Sequence, residues 1–418
     1  MFNTNKDKML RIFLIAVLLN PMLDLLTGVY LKTFNLDPRF TPGIIVRNLF
    51  LLYMIYYIYK NKINISYYII LMLTFMITIV VQHFSGININ LFKEIQYYLK
   101  FLYNISILLI GLEVFKNLRR AEINKFIYYL TLSAFIYSII VVMSFIFGVG
   151  YKTYSYSNLS KGFFYAGNDL TAIVAVVYPL SLYLILSDNN YKKDLVIYNL
   201  IIMLALTVIG TRVALLSILF SFLVFISFTF LIKNINLLKR FITIMLLSVV
   251  VFVLFSQAVK FYKNTNIIGS TIERQEAIKE RTNNEMYSYV LNSRNDKFNS
   301  AFDEYKNTNI LRKLFGLSRS SKMENIEMDF VDVWLFYGIV GFIIMMYSII
   351  KNGVLFILSS FAYRKDLLYI SMFVSLFIGF GSSFLAGHVL FSASAGIFSF
   401  LILALSNCIF KDGYGLKR

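Results

Sequence analysis

The sequence predicts an all-α, polytopic integral membrane protein of about twelve transmembrane helices, with a large, mostly helical extracytoplasmic loop between the ninth and tenth. Three observations predict it. The 418 residues are 58% hydrophobic with a mean hydropathy of +0.70, too apolar for a soluble domain. The apolar residues fall in runs of spanning length, since a membrane helix needs about 20 of them. The basic residues, which bring the formal net charge to +18, fall mostly in short gaps between those runs. There they serve topology, so the charge does not call for a nucleic-acid partner.

The runs lie near 10–30, 43–59, 65–82, 95–114, 126–147, 169–187, 195–210, 212–232, 241–257, 329–350, 367–385 and 392–410. The stretch "KNGVLFILSSFAYRKD" (351–366) either extends the tenth helix or lies along the inner surface. The first run is long enough to span and lacks a small-residue cleavage motif, so it reads as a helix and not as a cleavable signal. A single cysteine, Cys408, leaves no intrachain disulfide or cysteine metal site. No internal repeat or inverted pair of halves is visible, which counts against the common secondary-transporter folds. Heavy use of Phe, Ile, Asn, Lys and Tyr with few Ala and Pro hints at an AT-rich bacterial genome.

One set of connections carries "NKDKMLR", "YKNKIN", "KNLRRAEINK", "DNNYKKD", "KNINLLKR", "YRKD" and the tail "KDGYGLKR". The alternating set is far poorer in Lys and Arg: "LKTFNLDPRFTPG", "QHFSGININ", "GVGYKTYSYSNLSKGFFYAGN", "IGTR" and "GSSFLAGHVL". By the positive-inside rule both termini are cytoplasmic and the second set faces outward. The place expected is the bacterial cytoplasmic membrane. The organisation follows: an N-terminal bundle over 1–257, an outer cap over 258–328, and three C-terminal helices over 329–418. Loops as long as the cap are usually functional or disordered, and this one carries helical periodicity in "TIERQEAIKERTNNEMYSYVL" and "NDKFNSAFDEYKNTNILRKLFG".

That topology brings the unusual polar residues to the outer end: Asp24, Arg47, Lys93, Glu94, Lys100, Asn168, Arg212, Arg294, Glu327, Asp329, Asp332 and His388. Titratable groups converging on one wall are what a site needs. His388 lies in "GFGSSFLAGHVLFSASAG", whose small residues allow a break that lines a cavity. It is a general-base candidate or a satisfied interfacial histidine. The other histidine, His83, reads as solvated in a short polar loop. Arg212 follows Gly210 and Thr211, as at a helix start whose amides point at an anion. Its alternative is a snorkelling anchor. Asp24 and Arg47 lie at similar depth on consecutive helices, where an ion pair is the simplest account. Lys100, inside the fourth span, snorkels outward or helps to bind a lipid phosphate. Glu327, Asp329 and Asp332 open the tenth helix and read first as helix-start acids, with a second role in orienting a base or a sugar hydroxyl left open.

Walker, dinucleotide and zinc-protease motifs are absent, and the cytoplasmic loops are too short for a nucleotide-binding domain. Chemistry outside the cell therefore needs a substrate activated by its own leaving group, with no cofactor and no metal.

Several stretches together resemble the O-antigen ligase and Wzy-type polymerase superfamily: "GTRVALL" (210–216), "LNSRNDKF…LRKLFGLS" (291–318), "EMDFVDVWLFYGIVGF" (327–342), "AGHVL" (386–390) and "KGFFYAGNDLTAIVAVVYPL" (161–180). The likeness covers most of the chain from about residue 160 onward. It rests on the order and spacing of the motifs, since no single one is specific. It implies glycan transfer from an undecaprenyl-pyrophosphate-linked oligosaccharide at the outer face, without metal or nucleotide. The family's functional residues fall on Arg212, Arg294 and His388. Ser293 stands where the family often has glycine. The two arginines would then hold the pyrophosphate and His388 would take the acceptor proton, with Arg47, Lys100, Asn168, Glu327 and Asp329 as substrate-binding residues. The low-GC composition favours a polymerase for capsule, exopolysaccharide or wall polymer, with a flippase and a chain-length regulator as partners beside the bilayer. A ligase that hands the finished glycan to another acceptor is the alternative. A lipid-linked oligosaccharide flippase is the alternative from another class.

Overall fold

Backbone amides cannot stay unpaired in hydrocarbon, so long apolar runs close their hydrogen bonds within themselves as helices. The computed structural model describes residues 4–34, 40–86, 89–154, 158–187, 192–263, 267–281, 294–319 and 326–410. Among them the secondary structure is helical apart from one isolated bridge between Lys152 and Ser160. The helices are α1 (Thr4–Lys32), α2 (Pro42–Lys60), α3 (Ile65–Phe84), α4 (Leu91–Val114), α5 (Arg120–Phe147), α6 (Gly167–Ser187), α7 (Lys192–Ile209) and α8 (Arg212–Leu231). They continue as α9 (Ile235–Lys263), α10 (Ile267–Arg281), α11 (Arg294–Asn307), α12 (Ile310–Phe315), α13 (Asp329–Leu358), α14 (Ser360–Tyr363), α15 (Leu367–Ala386) and α16 (Ala393–Phe410). Ser293 and the rest of 282–293, the stretch 188–191 and the basic tail 411–418 lie outside the described residues.

Eleven of these helices are long and apolar enough to cross a membrane. The twelfth expected span is α7. Lys192, Lys193 and Asp194 occupy its first turn and shorten its apolar stretch, and it packs on α5, α6 and α8. Residues 351–358 extend α13, and α14 adds one further turn. α9 continues to Lys263, past the boundary expected at 257.

Burial separates the layers. The spanning windows of α6 and α16 are 94% and 89% buried, that of α9 only 17%. A helix apolar all round suits either place, core or lipid; contacts decide, and α6 packs on α5, α7, α8, α15 and α16. Short polar side chains mark several helix starts at one end. Thr41 accepts from Ile44 N at 3.3 Å, Asn90 from Lys93 N at 3.1 Å and Thr211 from Ala214 N at 3.2 Å. Each satisfies an amide that the helix leaves open.

At that same end α13 is broken. Gly338, at φ +71° and ψ −175°, interrupts the helix. The carbonyls of Leu335 and Phe336 accept instead from Leu317 N at 2.9 Å and Ser318 N at 3.2 Å. Gly316 and Gly338 permit this approach, because a Cβ on either would overlap backbone of the other strand. Gln82 of α3 donates to Gly316 O, and Ser318 donates to the buried Glu94 of α4. Non-helical backbone at membrane depth is tolerated where protein or a cavity surrounds it, and residues 316–319 occupy such a place.

Candidate active site

Enclosed by α1, α2, α4, α5, α6, the start of α13 and the α15–α16 loop is a cavity of about 490 Å³. Arg47, Lys100, Asp169, Arg319, Glu327, Asp329, Asp332 and His388 line it, together with the rings of Tyr97, Tyr103, Tyr137, Phe164, Tyr165 and Phe391. Aromatic walls with a few convergent polar groups are the usual make-up of a small-molecule site.

His388 sits on the loop between α15 and α16 with φ +70°, after Gly387 at +72°. A left-handed non-glycine residue costs on the order of 1–2 kcal/mol and persists only where its surroundings demand it. They do. The Asp329 carboxylate accepts the amides of His388 at 3.2 Å and of Val389 and Leu390 at 2.8 Å each, and the Ser383 hydroxyl at 2.7 Å. Hydrogen bonds to a charged group contribute roughly 1.5–3 kcal/mol each, so four of them outweigh the strain.

The imidazole itself is held by α6. Its Nδ1 lies 3.1 Å from Asp169 Oδ1, and its Nε2 lies 3.1 Å from the Asn168 amide nitrogen. Ser392 donates to the other Asp169 oxygen at 2.6 Å. A carboxylate at Nδ1 fixes the neutral tautomer with its proton there, leaving a lone pair on Nε2. Burial draws the imidazole down, but the hydrogen bond and charge of Asp169, with Asp329 and Glu327 behind them, outweigh it. His388 is raised above its ordinary value.

Three cations line the cavity in different states. Arg47 pairs with Asp24 at 2.6 Å and donates to Asn20 Oδ1 at 2.5 Å, and Tyr137 and Ser394 also donate to Asp24. This is the ion pair expected, and it ties α1, α2, α5 and α16 together. Arg319 is buried and pairs with Asp332 at 3.1 Å. Its guanidinium carbon lies 3.9 Å from the Phe391 ring centre and 4.5 Å from that of Tyr97. Removing one partner of such a buried pair typically costs about 3–5 kcal/mol. Lys100 Nζ stands 5.3 Å from the Tyr97 ring centre, so Lys100 and Arg319 both approach that ring.

The sequence-predicted residues are thus only partly brought together. His388, Arg47, Lys100, Glu327 and Asp329 line the cavity, and Asn168 reaches it through the imidazole. Arg294 opens α11 and pairs with Glu327 at 3.1 Å, with Lys297 at 3.8 Å from the same carboxylate. Arg212 opens α8 outside the cavity lining and donates from Nε to Gln275 of α10 at 3.1 Å. Asp332 carries Arg319 and accepts from Ile326 N at 3.2 Å, while Asp329 serves the His388 loop. Lys93 lies in the first turn of α4. His83 is exposed in the last turn of α3, not in a loop.

Sequence reasoning missed Asp169, Arg319 and Ser392. Asp169 is the one acid in the run 167–187, a signal that was present. Arg319 falls within the outer-cap stretch 258–328, although its side chain packs within the cavity wall.

A family model described as O-antigen ligase like membrane protein matches residues 6–271 and 263–410. No curated protein matches the chain.

Proposed function

Because the chain belongs to the O-antigen ligase-like family of membrane proteins, we propose that it is a polysaccharide polymerase joining undecaprenyl-pyrophosphate-linked repeat units. Membership supports glycan ligase or polymerase activity in a multi-pass membrane protein in general. The finer reading rests chiefly on one observation: the His388–Asp169 pair opening into a cavity that also holds Lys100, Arg47 and Arg319. The cavity end faces outward and both termini are cytoplasmic, because the basic connections gather at the other end.

In this mechanism Asn168 yields Nε2 of His388 to an acceptor hydroxyl. The hydroxyl oxygen attacks the anomeric carbon, its proton passes to Nε2, and the bond to the pyrophosphate oxygen breaks with its electron pair on that oxygen. Asp169 stabilises the imidazolium that forms. Lys100 lines the same cavity and would meet the growing negative charge. Arg294 and Arg212 join once the anion displaces Glu327 and Gln275 from them, since arginine favours bidentate phosphate contacts. The aromatic walls stack on sugar faces. A single displacement with one base implies inversion at the anomeric carbon.

The test uses purified full-length protein with a defined undecaprenyl-pyrophosphate oligosaccharide, products being resolved by mass. A ladder of added repeats, lost in His388→Ala while the protein stays folded, is the expected result. Transfer of the glycan to a different lipid or sugar acceptor, with no ladder, would make the protein a ligase. Lipid translocation across vesicles without any transfer would make it a flippase.

A further inference from the structure

The loop that carries His388 is gripped from two sides. From α13, both oxygens of Asp329 accept the three successive amides of His388, Val389 and Leu390. From α4, the Asn104 amide nitrogen lies 3.1 Å from each of the carbonyl oxygens of Val389, Leu390 and Ser392. Asn104 is wholly buried and Asp329 is 3% exposed. A Cβ at Gly396 of α16 would overlap the Asn104 carboxamide, so the glycine leaves that group its place. One residue thus holds the amide edge of the loop and the other its carbonyl edge.

Burial and hydrogen bonding leave Asp329 little to offer a ligand. Four donors already fill its oxygens. A carboxylate accepting several backbone amides is a fixed anchor, and a loop pinned along both edges holds its side chain in one rotamer. We infer that Asp329 and Asn104 are positioning residues, a two-sided clamp that aims the His388 imidazole at Asp169 and the cavity. Asp329 is therefore not a substrate ligand. The clamp's role in turnover rests on the glycosyl-transfer reading, but its effect on His388 does not.

The chain has only two histidines, which permits a test independent of activity. His83 is exposed and far in role from the site, so His83→Gln leaves the two ring-15N signals of a single histidine, His388, in the full-length protein. The charged groups facing this imidazole are Asp169 from α6, and Asp329 and Glu327 from α13 and the segment before it. The unaltered clamp gives one Nδ1-protonated neutral form with a single titration. Asp329→Asn keeps the shape of the side chain but removes its charge and turns an NH2 toward amides. The expected result is a downward shift of the titration by roughly half a pH unit and a mixed tautomer population. Asn104→Ala frees the carbonyl edge and is expected to mix the tautomers with a smaller shift, since no charge is lost.

In the transfer assay both variants lower kcat by about ten-fold or more with KM within about two-fold, the signature of a lost geometry rather than lost binding. A His388 signal identical to the unaltered one in both variants overturns the clamp, whatever the activity. So does a raised KM with unchanged kcat in Asp329→Asn, which would make Asp329 a substrate ligand. If Asn104→Ala does not fold, Asp329→Asn alone decides. The expected spectral change in a protein that transfers no sugar leaves the clamp standing and removes the transferase reading.

Discussion

His388 and Arg212 are both polar residues set into apolar sequence at the same end of the bundle, yet their surroundings differ sharply. His388 is fixed before any substrate arrives: backbone held by α13 and α4, imidazole held by α6. Arg212 stands at the first residue of α8, outside the cavity lining, with its Nε on Gln275 of α10. In the proposed mechanism one region is preassembled and the other has to be recruited. A preassembled group acts on the chemical step, whereas a recruited one diverts part of its binding energy into leaving its resting partner.

This contrast orders the expected effects. Largest is His388→Ala, which lowers kcat by about 10³-fold or more with little change in KM, measured on the defined lipid-linked donor. An activity loss under ten-fold would break the contrast at its stronger end. Next comes Asp169→Asn, expected to lower kcat by about 10²-fold through the wrong tautomer. The pH dependence carries its own sign. The base must be neutral, so the rate falls as pH drops through the raised value of His388. Asp169 supplies the chief upward contributions, so its loss moves the acidic limb of kcat/KM to lower pH even while the rate falls.

Arg212→Ala and Arg294→Ala are expected to cost about 10-fold each in kcat/KM, with KM carrying most of it, as recruited contacts should. A pure kcat effect in Arg212→Ala would show that the arginine is already in place. Lys100→Met should weaken the donor by a few-fold to ten-fold, less at high salt in the unaltered protein than the loss itself, because a single cavity ammonium acts as a point charge. Smallest is Gln275→Ala, which removes one resting contact of Arg212 and is expected to lower KM by about two-fold, sharpening the contrast when titration of inorganic pyrophosphate against protein fluorescence shows the same gain.

How much of this was legible follows from what each feature looks like along the chain. The helices were readable because spanning length and polarity are local properties. His388 and Arg212 were readable because they interrupt such runs. Asp24 with Arg47 was readable as a pair because both carry charge at like depth, and they meet at 2.6 Å. Asp169 stayed hidden because an acid in the first turn of a helix has an ordinary reason to be there, and nothing along the chain points to a partner 219 positions away, at His388. Asn104 was less visible still: one amide in an apolar run carries no charge, and its meaning lies wholly in the carbonyls of 389–392. The break at Gly338 was masked because glycine is common in membrane helices. Only the arrival of 316–319 beside it gives that glycine its consequence.

Under the proposed reaction that insertion also bears on how a long product leaves. Since Leu317 and Ser318 complete the hydrogen bonding of Leu335 and Phe336, and Ser318 and Gly316 are tied to Glu94 and Gln82, this stretch of the roof is stitched to the walls. Lifting it would expose carbonyls of α13 and break the Ser318–Glu94 hydrogen bond at once. A growing chain therefore does not raise this stretch like a hatch; it leaves by a path that keeps these four hydrogen bonds closed.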